Sequence, residues 1–511
     1  SLSYESSTGK ILKANGRATL IYGAGLNGRA LMRRFLADSN LGFKVHGFID
    51  DDLQKVGRLV SGVKVLGTQQ DLPALLESHS IQELIVAIGQ PPGELLRDVM
   101  QLCHKHKIRP RLIANLVNLN ERQGMHSFRE IGLADLLSRP RKEIGLESAR
   151  DLICNRRVLV TGAGGSIGSE LARQILNFNP SLLLLLDHSE FNLYQIDQEL
   201  KVTANANNHL IVPLLVDIKD YQSLERIFEE HAPELVFHAA AYKHVHLVEQ
   251  NPCSSILNNV QGTKNLVDLS ENFQVENFVL ISTDKAVNPA GIMGMTKRLC
   301  ELMVAEAGAR LNKHYCAVRF GNVLGSSGSL IPLLKSQIEK GEPLTITHHD
   351  MTRYFMLISE AVSLVLKAAS ITQPGDISIL RMGDPVKIVD IAKSLIALMG
   401  RSPEQVPIIF TGLRPGEKMF EELYLCGNEL KTEDPDILIL PKGDGVTHSS
   451  VPLDQILGQI LESAQNGNTQ AVYLLRSFIN SNYRVPLETA NWLTESLPNS
   501  PNPSFTPRLW Q

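Results

Sequence analysis

Arg157-Val158-Leu159-Val160-Thr161-Gly162-Ala163-Gly164-Gly165-Ser166-Ile167-Gly168 is the stretch that decides how this chain is read. An aliphatic run leads straight into closely spaced glycines, and an apolar-periodic helical segment follows from Ser169 to Asn177. Gly162, Gly165 and Gly168 let the backbone turn tightly and approach a pyrophosphate, whose charge the amides of a helix N-terminus then meet. Asp187 closes the next strand at the place where a carboxylate accepts a ribose 2′-hydroxyl and repels a 2′-phosphate, so NAD is expected over NADP. Ser166, Ile167, Asp217, Ile218 and the small residues Ala239, Ala240 and Ala241 complete the expected cofactor contacts. Glycines can also serve turns alone; strand, helix and acid in register make the nucleotide reading the stronger one.

Outward from this loop, short apolar runs at Leu182–Leu186, Ile211–Val216, Leu235–Ala239, Phe278–Ile281 and Tyr315–Phe320 alternate with helical segments. That order predicts a doubly wound parallel sheet. A similar start precedes it: Ala18–Tyr22, then Gly23-Ala24-Gly25-Leu26-Asn27-Gly28, then Val45–Ile49 closing on Asp50. The fold class expected is therefore α/β, with two Rossmann-like doubly wound parallel-sheet units, the second carrying a smaller mixed α/β substrate lobe. The boundaries read as 1–118 for the first unit, 119–155 for a linker holding Arg139-Pro140-Arg141-Lys142 and a short helix at Gly132–Leu137, 156–495 for the second unit and 496–511 for a flexible tail.

At 511 residues, 43% apolar and 20% charged, the chain holds ample core for two or three domains. The net charge of −4 makes nucleic acid a poor partner. The six scattered cysteines (103, 154, 253, 300, 316, 426) suit a reducing compartment. No metal site is expected, because His348-His349 lacks a third ligand. No apolar run is long enough to span a bilayer. The chain opens Ser1-Leu2-Ser3 with no Met before Met32, which reads as part of a longer protein.

Ser282-Thr283-Asp284-Lys285 follows the strand ending at Ile281, on the sheet edge where open α/β folds bind ligands. Adjacent Asp and Lys are often a plain surface ion pair; this position argues for acid–base work. Met293 stands four residues before Lys297 on one helix face, and a thioether can neither hold nor give up a proton. Lys297 suits the nicotinamide ribose. Asn258–Thr263 reads as a helix with polar groups behind the site. Lys243, Asn322, Arg353, Arg414 and Glu417 are candidate contacts for a second nucleotide.

These pieces, TGAGGSIGSEL at 161–171, DHSEFNLY at 187–194, HAAAYKHV at 238–245, STDKAVNP at 282–289, Met293-x-x-x-Lys297, MTRYF at 351–355 and GLRPGEK at 412–418, resemble the large membrane-associated nucleotide-sugar 4,6-dehydratases of bacterial glycan synthesis, extended short-chain dehydrogenase/reductases. The resemblance covers residues 15–430. It implies conversion of UDP-N-acetylglucosamine to the 4-keto-6-deoxy sugar with C5 retained and a tightly bound, regenerated NAD. It further implies Asp284 as acid at C6, Lys285 as base at C5 and Thr283 on the C4 hydroxyl. It also implies a homo-oligomer and a transmembrane segment outside this chain, which would set the full-length protein on the cytoplasmic face of the inner membrane and leave this portion soluble. A 4-epimerase on the same fold and a non-catalytic nucleotide-binding regulator are the alternatives. The first unit resembles small nucleotide- or CoA-binding folds.

Overall fold

In the computed structural model, residues 16–37, 42–78, 80–113, 128–136, 144–207, 210–423, 429–441 and 452–481 are described. Arg139–Lys142, Leu137, Cys426, the 118/119 boundary and the tail at 496–511 lie outside them. The chain divides into two compact units. One gathers residues 1–144, 322–361 and 382–413; the other gathers 145–321, 362–381 and 414–511.

The first unit is built on a seven-stranded sheet. Its strands are β1 (Arg17–Tyr22), β2 (Phe43–Ile49), β3 (Leu59–Val60), β4 (Val63–Gly67), β5 (Glu83–Val86), β6 (Arg109–Ile113) and β7 (Phe128–Glu130), in the order β3-β4-β2-β1-β5-β6-β7. The β4-β2-β1-β5-β6 core is parallel, and β3 and β7 pair antiparallel at the two edges. Parallel central strands are buried on both faces, which is why they read as near-continuous aliphatic runs. The chain reverses direction of winding between β1 and β5, and the Gly23–Gly28 loop sits at that switch point.

Sequence boundaries assigned the segments after residue 321 to the second unit; contacts group 322–361 and 382–413 with the first. The reason is packing. Helix Ile388–Leu398 lies against helix Gly93–Lys105 and the short helix Leu133–Leu136. Arg97 fastens the three, donating from Nη1 to the Leu136 carbonyl at 3.1 Å and to Ser394 Oγ at 3.5 Å. Periodicity within one segment carries no record of which distant surface it covers.

The second unit is built on a nine-stranded sheet. From one edge it runs β10 (Ile211–Leu215), β9 (Leu182–Asp187), β8 (Arg157–Thr161), β11 (Leu235–His238), β12 (Asn277–Ile281) and β13 (His314–Arg319), then strands Ile377–Leu380, Ile437–Ile439 and Leu430–Lys431. All pairs through Ile377–Leu380 are parallel; the last two strands add antiparallel. The switch point falls between β8 and β11, beneath the glycine loop.

A charged cluster lies inside this core. Glu301, on helix Ile292–Leu311, takes Arg319 of β13 in a bidentate pair at 2.7 Å on each arm, Arg298 at 3.0 Å and the Ser282 hydroxyl at 2.6 Å. Glu301 and Arg319 are fully buried. Burial alone raises the Glu301 carboxyl, but Arg319, Arg298 and Ser282 outweigh it and hold the group below the ordinary glutamate range. A depressed folded pKa contributes stability above the unfolded value of about 4.3, and that contribution is lost as pH falls through the folded pKa.

Glu301→Ala is therefore expected to cost about 3–5 kcal/mol in urea unfolding at neutral pH, since it leaves Arg319 buried and uncompensated. The gap between parent and variant should narrow as pH drops below the glutamate range. A gap that widens on acidification contradicts the assignment.

Candidate active site

The cofactor cradle forms where β8 ends. Gly162 has φ +66°, and a Cβ there would stand 2.7 Å from the Ala240 amide nitrogen, so the loop lies directly on the chain leaving β11. A Cβ on Gly168 would stand 2.0 Å from the Gly162 carbonyl, which only glycine accommodates. Helix Ser166–Leu176 starts at Gly165 with no side chain capping its first amides, an arrangement suited to a pyrophosphate. Ile167 lies in its first turn, partly exposed. Asp187 is buried at the end of β9, accepting from the Gly164 amide at 2.9 Å and the Ser189 amide at 2.8 Å. One carboxylate thus ties the glycine loop to the neighbouring strand end. Asp217 follows β10 and accepts from the Lys219 amide at 2.9 Å. Buried Ile218 supports Gly262, where a Cβ would stand 2.4 Å from Ile218 Cδ1. Ala239, Ala240 and Ala241 line the exit from β11, half-buried.

The acid–base cluster forms at the end of β12. Ser282 and Asp284 donate their amides to the Val318 and Phe320 carbonyls at 2.8 and 3.0 Å, extending the strand pairing past Ile281. The chain then turns through Asp284–Ala286, with Thr283 as cap. Thr283 Oγ1 accepts the Lys285 amide at 3.3 Å and donates to Asp284 Oδ1 at 2.9 Å. Lys285 Nζ donates to the same oxygen at 2.9 Å. The Asp284 side chain is fully buried, and among the described residues its Oδ2 has no hydrogen-bond partner. Helix Ile292–Leu311 packs against this turn so closely that a Cβ on Gly294 would stand 2.2 Å from the Lys285 carbonyl.

Met293 is buried in that helix's first turn, and its carbonyl accepts the Thr296 hydroxyl at 2.8 Å. Lys297, also buried, donates to the Ile281 carbonyl at 2.8 Å. Burial lowers its pKa, against smaller opposing effects from Cys300 and Glu301. Lys297 therefore braces the end of β12 with one of its three donors.

Behind these groups lies a polar layer. The Asn258–Thr263 stretch expected as a regular helix contains a π turn, Leu257–Gln261; such bulges are frequent at functional sites. The bulge turns Asn259 so that it clasps Tyr242 by both backbone groups, at 2.8 and 3.1 Å, and reaches Thr296 Oγ1 at 3.1 Å. His238 lies between Thr161 Oγ1 at 2.7 Å and Thr263 Oγ1 at 3.0 Å. Thr263 gives its proton to the Asn259 carbonyl at 2.6 Å, so His238 Nε2 must donate to Thr263, and Nδ1 accepts from Thr161. Burial, helped by the Lys297 charge, pushes the His238 pKa to about 3, keeping the ring neutral.

Of the second-nucleotide candidates, Lys243, Arg414 and Glu417 belong to the unit that holds the cluster, while Asn322 and Arg353 belong to the other. Arg414 and Glu417 cap a tight turn, the Arg414 amide donating to Glu417 Oε2 at 3.1 Å. Asn322 opens a strand paired in parallel with Phe355–Leu357, and Arg353 is buried, donating to the Thr352 carbonyl at 2.8 Å. Sequence reasoning missed Glu421. Its carboxylate is buried 4.0 Å from Lys285 Nζ, and the only available signal was its closeness to the 412–418 motif. Among the described residues no three-ligand metal cluster occurs and no helix is long and apolar enough to cross a membrane.

In the first unit, Gly23 has φ +108°, and a Cβ on Gly28 would stand 2.0 Å from the Gly23 carbonyl, repeating the cradle of the second. Asp50 differs from Asp187. It accepts from the Ala24 and Asp52 amides at 2.8 and 3.0 Å and is also paired with Lys55 at 3.1 Å. Burial raises its pKa, but these donors outweigh that and lower it. With an ammonium on it, Asp50 is poorly placed to read a ribose diol.

Residues 158–441 match the family described as "Polysaccharide biosynthesis protein", and residues 7–114 match "CoA-binding domain". The chain is 42% identical over 417 residues to the capsular polysaccharide biosynthesis protein CapD of Staphylococcus aureus, covering 81% of this chain and 69% of CapD. It is 33% identical to a UDP-glucose 4-epimerase of Rickettsia prowazekii, covering 55% of this chain and 82% of that one. Among solved structures, Pen from Bacillus thuringiensis aligns with a TM-score of 0.52 and 28% identity, covering 61% of this chain and 98% of Pen. Cradle, cluster and likeness agree: the chain belongs to the polysaccharide biosynthesis protein family, with the fold of nucleotide-sugar-modifying short-chain dehydrogenase/reductases.

Proposed function

We propose that this chain catalyses the NAD-dependent 4,6-dehydration of UDP-N-acetylglucosamine, yielding the 4-keto-6-deoxy sugar with C5 retained, for a bacterial surface glycan. The observation that carries the reading is the buried Asp284, with one oxygen shared by Thr283 and Lys285 and the other unpartnered. Simple oxidation at C4 requires no second acid; loss of the C6 hydroxyl does.

The glycine cradle and Asp187 fit NAD, which when bound supplies the hydride acceptor at C4 and the donor at C6. The residues of the chain handle the protons. Thr283 directs its own hydroxyl proton at Asp284, so its oxygen is left to accept from the sugar's C4 hydroxyl. The proton leaving C4 oxygen can pass through Thr283 to Asp284, which takes over the acid–base role that Met293 cannot fill. Asp284, so protonated, gives that proton to the departing C6 hydroxyl, and Lys285 removes and later returns the C5 proton. The proton lost at C4 thus leaves in the water released at C6, and the enzyme ends where it began. The full-length protein would work at the cytoplasmic face of the inner membrane as a homo-oligomer, like the enzymes it resembles. The 4-epimerase reading draws support from the Rickettsia relative. Mass spectrometry separates the two, because dehydration removes one water from the nucleotide sugar and epimerisation leaves the mass unchanged.

Asp284→Asn and Lys285→Ala should each lower turnover of UDP-N-acetylglucosamine about 10²–10⁴-fold, read by NMR of the product. Lys285→Ala should also abolish exchange of the C5 proton with solvent, whereas Met293→Tyr should be tolerated at best. Turnover near the parent rate in both Asp284→Asn and Lys285→Ala would dismiss the assignment.

Gly162→Val should abolish nucleotide retention while the protein stays folded by circular dichroism, since a side chain meets both a left-handed backbone and the Ala240 amide. Full NAD occupancy after purification of that variant would show that the cradle lies elsewhere.

A further inference from the structure

The dehydration reading leaves one proton without a place to go. An amine that is to remove the C5 proton must first have shed one of its own, and Lys285 is an ammonium donor to Asp284. Asp284 cannot take that proton as well, because its role is to carry the C4 proton to C6. Glu421 is the other carboxylate near Lys285. Its Oε1 lies 4.0 Å from Nζ, with the Glu421 side chain 4% exposed and that of Lys285 22% exposed.

The segment carrying Glu421 is fastened to the loop after Lys285. Lys418 Nζ donates to the Val287 carbonyl at 3.1 Å and pairs with Glu422 at 3.2 Å, and Asn288 Nδ2 donates to Glu422 Oε2 at 3.0 Å. Gly416 lies against Gly291, where a Cβ would stand 3.1 Å from Gly416 Cα, and Glu249 Oε1 holds the next amide, of Ile292, at 2.6 Å. Lys418 pairs with Glu422, Glu249 caps Ile292, and Lys297 of helix Ile292–Leu311 donates to the Ile281 carbonyl. Among the described residues, Asp284 and Glu421 are carboxylates that lie within ion-pair distance of the ammonium.

Resting on the dehydration reading, we propose that Glu421 is a positioning residue that takes the spare proton of Lys285 and so converts it to the neutral amine acting at C5. An N–H bond of Lys285 breaks and an O–H bond forms on Glu421. The neutral amine then accepts the C5 proton. The C–H electron pair becomes the C5–C6 double bond, and the C6–O bond breaks as Asp284 gives its proton to the departing water. After hydride returns to C6, Lys285 reprotonates C5 and takes its first proton back from Glu421. Two opposite charges are exchanged for two neutral groups, which the burial of Glu421 favours.

The test compares the intact parent chain with Glu421→Gln and Glu421→Asp, measuring kcat and KM for UDP-N-acetylglucosamine across the neutral and alkaline range. Glu421→Gln keeps the shape and removes the proton acceptor. It is expected to lower kcat at neutral pH about 10²-fold with little change in KM. Its rate should rise with pH where the parent profile is flat, because solvent must now take the Lys285 proton. Loss of the Glu421 charge weakens the hold of Lys285 on that proton, which brings the rising limb towards neutrality. Glu421→Asp should keep the flat profile at a reduced rate. A Glu421→Gln profile that coincides with the parent, or that is depressed equally at every pH, overturns the proposal while leaving the dehydratase standing. A parent that makes no dehydrated sugar at any pH overturns both.

Discussion

One buried carboxylate oxygen organises the catalytic unit. Asp284 Oδ1 accepts from a hydroxyl and an ammonium at once, both at 2.9 Å, just past the end of a central strand. Such an arrangement is stable only if the chain before and after it is rigid. The rigidity comes from below. Ser282 binds Glu301, Glu301 binds Arg319, and Arg319 ends the adjacent strand, so that the two strand ends are locked in register within a closed network of charge. Lys297 braces the same strand end from the helix side. The cluster is held in place by groups beneath and beside it.

On the helix side Met293 is buried and fills space, and under the proposed dehydration the acid–base work falls to the carboxylate at the strand end. The two positions lie on elements that touch through Gly294 and Lys285, so the helix shapes the space around the cluster.

Much of this was legible in the sequence. The glycine loop, Asp187 and the order of strands follow from local spacing, and spacing is what a linear reading preserves. The 282–285 cluster was legible for the same reason, being contiguous and placed at a strand end. What escaped reading depends on distance along the chain. Glu421 lies near Lys285 in a segment fastened through Lys418, Asn288 and Glu422, contacts between stretches far apart in the sequence. The pairing of Glu301 with Arg319 joins a helix to a strand and leaves no local pattern. The π turn at 257–261 arises from tertiary demands on Asn259. The assignment of residues 322–361 and 382–413 to the first unit follows from how helix Ile388–Leu398 packs, which local periodicity does not encode. The two glycine loops look alike in sequence, yet Asp50 is paired with Lys55 at 3.1 Å, whereas Asp187 accepts from the Gly164 and Ser189 amides and has His188 Nδ1 at 3.6 Å.

The most direct test of the account follows a label. UDP-N-acetylglucosamine bearing deuterium at C4, incubated with the chain and no added cofactor, should give a dehydrated sugar with the deuterium at C6 of the same molecule. Deuterium still at C4 in a product of unchanged mass, or lost with accumulation of an oxidised sugar that keeps its C6 hydroxyl, would contradict it.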